Sequence, residues 1–437
     1  MKIYTTAHIS PADRQVLTAL LGSNEHIEWL VSGKRPAVDA DGVLTSMDYI
    51  CNPDGSIRWL YPRGSRRPLF LSTYNSPTTK AKWYRRIMRT AFALRLQRFA
   101  RNGRLQIVTP RIRSRGTKCG FPFDLTAKTY AIFTGTVGPN RKAIIALAVD
   151  KKAANVAQFA KVPVGPQAAQ RLFHEFDAQT TMVHLGLRHW RVPQGACLEN
   201  GATLVENIGT RAHNGGHHLT ATHAKAIVEL QNRTFNDSAY LPNFFKQIEQ
   251  RLHQLENRQE NTSLPGLPRL IAQLRQLFAE TRNASTLPFA YAHGDFTPWN
   301  QYVSGDKLHV YDWEMAGPRP ALFDLFHFVF QTGVLVQRHS YAEIRAELAT
   351  ALRLPAIRDM IRERDLDIRQ LLALYLLDTV SYNLTLFQKQ VQQGELHMQA
   401  WWLMRTWSEA LTGICDPIPA QDCRKAFLAG LPARLAD

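Results

Sequence analysis

Hydrophobic and polar positions change rhythm near the middle of the chain. Before about residue 210 the apolar runs are short and bounded by Gly, Pro, Asn and Asp, which predicts strands joined by turns. Ser56 to Tyr61 is one such run, set between Asn52-Pro-Asp-Gly55 and Pro62-Arg-Gly64. Tyr130 to Thr134 and Ala143 to Val149 are two more, joined by Gly135-Thr-Val-Gly138-Pro-Asn140, and Gln158 to Val162 is another. Pro163 and Pro166 then introduce a helix on which Ala168, Leu172 and Glu175 share a face. Val192 to Cys197 and Ala202 to Ile208 read as strands around the turn Glu199-Asn200-Gly201. From about Thr220 apolar positions recur at helical spacing, broken by the polar stretch Asn257 to Pro265 and by a strand pair between Ala290 and Tyr311. Helical spacing resumes through Leu371 to Leu386 and the Trp401-Trp402 region, which predicts core-facing helix surfaces. The fold class expected is α+β: a small, mainly antiparallel sheet with one helix, then a helical portion.

Charge singles out one segment. No acidic residue occurs from Lys80 to Lys118, while thirteen basic ones do. In its first half Tyr84, Ile87, Met88 and Ala91 fall on one helical face and Lys82, Arg85, Arg86 and Arg89 opposite, a basic amphipathic helix. Such a helix either packs on its own domain with solvated arginines or touches an anionic partner. The charges do not alternate with an aromatic ladder for base stacking, so no specific nucleic acid is expected. An anionic membrane surface met through residues 80–118 stays open as a partner.

With 45% hydrophobic and 20% charged residues over 437 positions, collagen, coiled coil and wholesale disorder are excluded. The formal net charge of +17 favours anionic partners. Five cysteines, odd in number and without a CxxC pair, suit free thiols in a reducing cytoplasm. The start MKIYTTAHISPADRQ lacks the order of a signal peptide, and no apolar run reaches the roughly 18 residues of a membrane helix. A cytoplasmic protein, at most peripheral to a membrane, is expected.

The sharpest chemical signal is His293-Gly-Asp295-Phe-Thr-Pro-Trp-Asn300, followed after Ser304-Gly-Asp306 by Leu308-His-Val-Tyr-Asp312-Trp-Glu314. Phosphoryl transfer needs a carboxylate at the acceptor hydroxyl and oxygen ligands for Mg²⁺, and Asp295, Asn300 and Asp312 can supply that set. HGDFTPWN with VYDWE resembles the catalytic and metal-binding segments of the aminoglycoside phosphotransferase and choline kinase group, relatives of protein kinases. The resemblance implies a protein-kinase-like bilobal fold: a small antiparallel-sheet N-lobe and a mainly helical C-lobe, preceded here by an additional N-terminal α/β region. It implies domains at 1–120 (a basic region of unknown role), 121–209 (the nucleotide-binding N-lobe) and 210–437 (the C-lobe). It makes Asp295 the catalytic base, Asn300 and Asp312 the magnesium ligands, His293 a structural residue of the loop, and Asp324 in Pro320-Ala-Leu-Phe-Asp324-Leu an architectural one. Glu314 would assist at the metal.

A kinase-like lobe also needs a strand lysine on the α- and β-phosphates and a helix glutamate to hold it. Lys161, embedded in Phe159-Ala-Lys-Val-Pro163, and Glu175 fit; the other reading of Lys161 is a strand-edge lysine with its head in water. Lys142, Lys151 and Lys152 are weaker rivals. The hairpin Thr134-Gly-Thr-Val-Gly138 could cover phosphates with backbone N–H groups. By position Leu204-Val-Glu206-Asn-Ile208 is the hinge, so Glu206 and Ile208 are the expected neighbours of the base. His213, His217, His218 and His223 lie in a Gly-rich stretch without a matching ligand set and are expected to be solvated loop histidines. No GxSxG, Walker A or HExxH occurs.

These residues lead to an expected Mg²⁺-dependent kinase that moves the γ-phosphate of ATP or GTP to a small-molecule hydroxyl. At +17 the chain is ill-suited to gather polycationic acceptors, so a neutral or anionic one is expected, a sugar or glycan-related compound. The other reading is a non-catalytic, kinase-like nucleotide-binding scaffold that uses its basic N-terminal region to hold an anionic partner or membrane surface.

Overall fold

A computed structural model describes residues 2–21, 27–31, 42–72, 79–110, 129–148, 156–209, 216–236, 240–257, 264–283, 287–392 and 396–415. The chain divides into two compact units, residues 1–180 with 193–209, and residues 181–192 with 210–437.

The first unit is built on one sheet. In chain order its elements are β1 (Lys2–Thr5), α1 (Pro11–Leu21), β2 (Glu28–Val31), β3 (Gly42–Cys51), β4 (Ile57–Pro62), α2 (Thr79–Ala93), β5 (Gly103–Pro110), β6 (Tyr130–Phe133), β7 (Lys142–Ala148), β8 (Val156–Pro163) and α3 (Pro166–His184), whose last turn belongs to the second unit. After β9 (Trp190–Arg191), also of the second unit, come β10 (Gly195–Cys197) and β11 (Thr203–Glu206). The order across the sheet is β10-β11-β8-β7-β6-β4-β3-β5-β1-β2, and only β1 with β2 pairs in parallel. Alternation along the strands feeds two cores, because successive side chains point to opposite faces. Tyr130, Ile132, Ala143, Ile145 and Leu147 join Val16, Leu17 and Leu20 of α1 on one face. Ala131, Ala146, Trp59 and Tyr61 join Met88 and Phe92 of α2 on the other.

The expected sheet and helical lobes are both present, but the N-terminal region does not stand apart from the sheet. Across the boundary expected at residue 120, β4 pairs with β6 through Trp59↔Phe133 and Leu60↔Ile132. The Thr134 hydroxyl donates to the Ile57 carbonyl. Buried Arg141 donates to the Ala12 carbonyl at 3.0 Å and to Asp13 Oδ1 at 3.3 Å. A strand takes its partner from tertiary contact, and strand 57–62 finds it in residues 132 and 133, which no local rhythm encodes. The helix over the basic segment exists, but its faces differ from the expected ones. Tyr84 and Arg85 are half-buried and Met88 buried, whereas Ile87 is 58% exposed. Arg111 to Lys118 lie outside the described residues.

The second unit opens with α4 (Ala221–Thr234), α5 (Leu241–Asn257) and α6 (Leu267–Thr281). Next come β12 (Phe289–Ala292), β13 (Gln301–Ser304), β14 (Lys307–Val310) and β15 (Gly317–Pro320). It closes with α7 (Phe323–Thr332), α8 (Tyr341–Leu352), α9 (Pro355–Glu363), α10 (Ile368–Gln392) and α11 (Met398–Cys415). β13 and β14 form the expected hairpin, and β9 adds in parallel to β14. β12 instead pairs antiparallel with β15. α10 is the hub, buried at Leu371 to Leu377 with Val380 and Leu384, and Arg251 and Arg319 converge on its Asp378. Burial pushes that carboxyl up, and the two guanidiniums outweigh it, holding Asp378 below the ordinary value. Among the described residues no helix is long and apolar enough to cross a membrane.

Candidate active site

The loop that follows β12 is held from below by one carboxylate. Asp324, in the first turn of α7, accepts the backbone N–H of His293 at 2.7 Å on Oδ2 and that of Gly294 at 3.0 Å on Oδ1. Burial pushes the Asp324 carboxyl up, opposed by His293 and by those two N–H donors. Gly294 has φ +80°, and a Cβ there would stand 2.2 Å from the Met315 carbonyl oxygen, so only glycine fits this turn. His293 is fully buried against Trp313, ring centroids 4.7 Å apart. Its Nδ1 accepts the Asp295 N–H at 3.2 Å, which leaves Nε2 to donate to the Tyr311 carbonyl at 3.1 Å.

This frame presents the Asp295 carboxylate with both oxygens engaged. Asn300 Nδ2 donates to Oδ2 at 2.8 Å and to the Asp295 carbonyl at 3.0 Å. His327 Nε2 lies 3.2 Å from Oδ1. The Asp295 side chain keeps 39% exposure, enough for a substrate to reach it. Asn300 is buried, and its carbonyl accepts the Tyr311 N–H at 3.0 Å, extending the hairpin register Gln301↔Val310 by one step. Asp312 is the next residue, at φ 68°, a left-handed conformation that Asp tolerates better than most side chains. Buried Trp313 follows, its indole N–H on the Val310 carbonyl at 3.1 Å. Burial, with the nearby Asp312 charge, pushes the Tyr311 hydroxyl up to about 12. Glu314 lies on the single turn Trp313–Met315.

In the first unit Lys161 lies on an interior strand of the sheet, opposite Ile144 of β7 on one side and Thr203 of β11 on the other. It is therefore no strand-edge lysine: its side chain is 12% exposed and its ammonium donates to Glu175 Oε1. Glu175 shares the buried face of α3 with Ala168 and Leu172, as their spacing predicts. Gln179 Nε2 reaches the same oxygen at 3.4 Å, and Lys142 Nζ stands 3.8 Å from Oε2, so Lys142 belongs to this cluster as well. Lys151 and Lys152 lie outside the described residues. The Gly135 turn is tight: at φ +75°, a Cβ would stand 2.2 Å from the Lys142 carbonyl oxygen. Glu206 ends β11 and accepts the Gln194 N–H at 2.9 Å on its carboxylate, and Ile208 is buried.

Two histidines depart from expectation. His223 is no solvated loop residue but a buried member of α4, its Nδ1 accepting the Thr220 N–H at 3.1 Å and its Nε2 3.2 Å from Gln301 Oε1. Burial pulls its pKa down to about 4. The capping-box spacing from Thr220 to the third helical position could have signalled this. His217 and His218 are exposed, and His213 lies outside the described residues. His327 belongs to no sequence motif; it lies on α7, whose ten residues are all buried. A polar ring on a buried face next to a loop-tying aspartate was the available signal.

The profile of the phosphotransferase enzyme family matches residues 196–361. No curated protein matches the chain. Among solved structures, a choline/ethanolamine kinase family protein from Mesorhizobium loti is 14% identical with a TM-score of 0.43, covering 64% of this chain and 87% of its own. A glucosamine kinase in complex with glucosamine, ADP and inorganic phosphate is 17% identical, TM-score 0.42, covering 70% and 89%. An ADP-bound aminoglycoside phosphotransferase is 11% identical, TM-score 0.41, covering 66% and 95%. The matched profile contains the whole loop from His293 to Asp324, so across residues 196–361 this chain is similar to the phosphotransferase enzyme family.

Proposed function

We propose that the protein moves the γ-phosphate of ATP or GTP to a hydroxyl of a neutral or anionic small molecule, a sugar or glycan-related acceptor. The observation that carries this reading is the Asp295 carboxylate, half-exposed yet held on one side by Asn300 and on the other by His327. In that role Asp295 accepts the proton of the acceptor hydroxyl while the hydroxyl oxygen bonds to the γ-phosphorus. The bond from that phosphorus to the bridging oxygen breaks, and the nucleoside diphosphate leaves. Lys161, held by Glu175, would bind the α- and β-phosphates, and the strand end at Glu206 to Ile208 would offer backbone groups to the base. Domain roles follow: residues 121–209 hold nucleotide, 210–437 bring the catalytic and metal loops, and 1–120 extend the sheet.

The residues present fit Mg²⁺. Asn300 uses Nδ2 toward Asp295, which leaves its Oδ1 as a hard oxygen donor, and Asp312 adds a carboxylate. One or two protein oxygens, completed by phosphates and water, suit this ion. When bound, Mg²⁺ neutralises charge on the nucleotide phosphates. The net charge of +17 supports an acceptor that is not a polycation.

The test is nucleotide consumption across a panel of sugars and sugar phosphates, with wild type beside D295N. Turnover should fall by about 10²–10⁴-fold in D295N while the nucleotide-dependent rise in Tm persists. Failure of ATP and GTP, each with magnesium, to move the wild-type Tm would sink the reading.

A further inference from the structure

The first unit carries a surface that phosphoryl transfer does not use. α2 leans on the sheet through Tyr84, Met88 and Phe92: Trp59 stacks on Tyr84 at 6.5 Å, and Tyr61 meets Phe92 edge-on at 5.1 Å. The far side of the helix remains in water. Trp83 and Ile87 lie one turn apart on one face, and Leu94, just past the helix end with its N–H on the Thr90 carbonyl, follows at helical spacing; they are 61%, 58% and 63% exposed. Phe99, in the short turn Gln97–Phe99 after the helix, is 74% exposed. Isolated exposed apolar residues need no explanation, but an aligned stripe on one helix marks an interaction surface.

Charge says what that surface meets. Lys82, Arg86 and Arg89, all exposed, form a parallel basic stripe beside the apolar one. Arg95 and Arg98, past the end of the helix, are also exposed, and the Arg98 guanidinium lies 4.7 Å from the Phe99 ring centroid. No acidic residue occurs between Asp54 and Asp124, so this stretch supplies no carboxylate of its own to neutralise the stripe. A nucleic-acid backbone would satisfy the arginines and leave Ile87 and Leu94 in water. A bilayer with anionic headgroups satisfies both stripes, since apolar side chains enter the headgroup–acyl boundary, Trp favours that depth, and the cations stay at the phosphates.

We infer that the outward face of α2 docks the protein flat on an anionic phospholipid bilayer. Trp83, Ile87, Leu94 and Phe99 enter the interface, and Lys82, Arg86 and Arg89 pair with lipid phosphates. This surface is independent of the phosphoryl-transfer residues.

The test is co-sedimentation of the full chain with vesicles of phosphatidylcholine alone and of phosphatidylcholine mixed with phosphatidylglycerol. Binding is expected to the mixed vesicles only, weakening with added salt. R86Q/R89Q should lower the partition coefficient by roughly five-fold for each charge removed. W83S/I87S should lower it too, with the nucleotide-dependent Tm rise intact, so the two readings fail separately. Wild-type protein gives a check free of folding effects: brominated acyl chains should quench a part of the Trp emission that W83F lacks. Equal binding to both vesicle types, binding to neither, unaltered binding by both double variants, or a preference for duplex DNA or an acidic protein over the mixed vesicles would overturn the inference.

Discussion

An ionised carboxylate only accepts hydrogen bonds, so the 3.2 Å contact between His327 and Asp295 Oδ1 fixes the ring with its proton on Nε2. The other ring nitrogen, Nδ1, is buried without a partner, and Phe323 stacks on the ring at 5.8 Å. Tyr375 meets the ring edge-on at 6.2 Å, and with the ring so packed its Nε2 determines where the Oδ1 lone pairs point. H327F keeps the stack and deletes the donor, and kcat is expected to fall about tenfold, the worth of one hydrogen bond to a charged group. KM for the nucleotide should stay unchanged, and H327Q should recover part of kcat by restoring a donor. A rise in KM at constant kcat would assign His327 to substrate binding instead. The contact of Asn300 with Asp295, and the placing of Asn300 and Asp312 at the two ends of one hairpin, were legible because these residues recur at fixed spacing in one short segment. His327 was not, because it comes from another helix and meets Asp295 only once α7 packs.

At the scale of the element, the first turn of α4 carries a pH-dependent cap. His223 stays neutral there, accepting the Thr220 N–H on Nδ1, and its pKa is drawn down to about 4 by burial. An unfolded chain titrates that imidazole near its ordinary value of about 6.5, so between the two values the unfolded state binds more protons. The stabilisation is complete above about pH 6.5 and is lost as pH falls toward 4, about 3 kcal/mol at most. Comparing urea midpoints of wild type and H223Q from pH 7 to 4 isolates this group, and the wild type should show the steeper loss. α2 shows what an element cannot say about itself. Its sequence has two apolar stripes, one through Trp83, Ile87 and Leu94 and one through Tyr84, Met88 and Phe92; periodicity reports both and does not choose which is buried.

For the whole molecule the buried pair of Asp13 with Arg141 bonds α1 to the turn before β7 within one unit. Asp13 and Arg141 are 2% and 6% exposed. D13A leaves the Arg141 guanidinium buried without its carboxylate and should destabilise the protein by about 3–5 kcal/mol, measured by denaturant unfolding, and D13N, which keeps an acceptor oxygen, should lose less. Such a bond makes residues 1–120 part of the sheet's stability and not an appendage. The sequence by itself determined the strand and helix rhythm, the hairpin of Asn300 and Asp312, the Lys161–Glu175 pairing across the strand and helix, and the excess of positive charge, since each rests on spacing within one or two neighbouring elements. Only the tertiary structure decided that β4 lies beside β6, that His327 faces Asp295, that His223 is buried, and which stripe of α2 meets water. Each of these depends on contacts between residues far apart along the chain, where the free energy of burial is shared among many partners and no local interval records it.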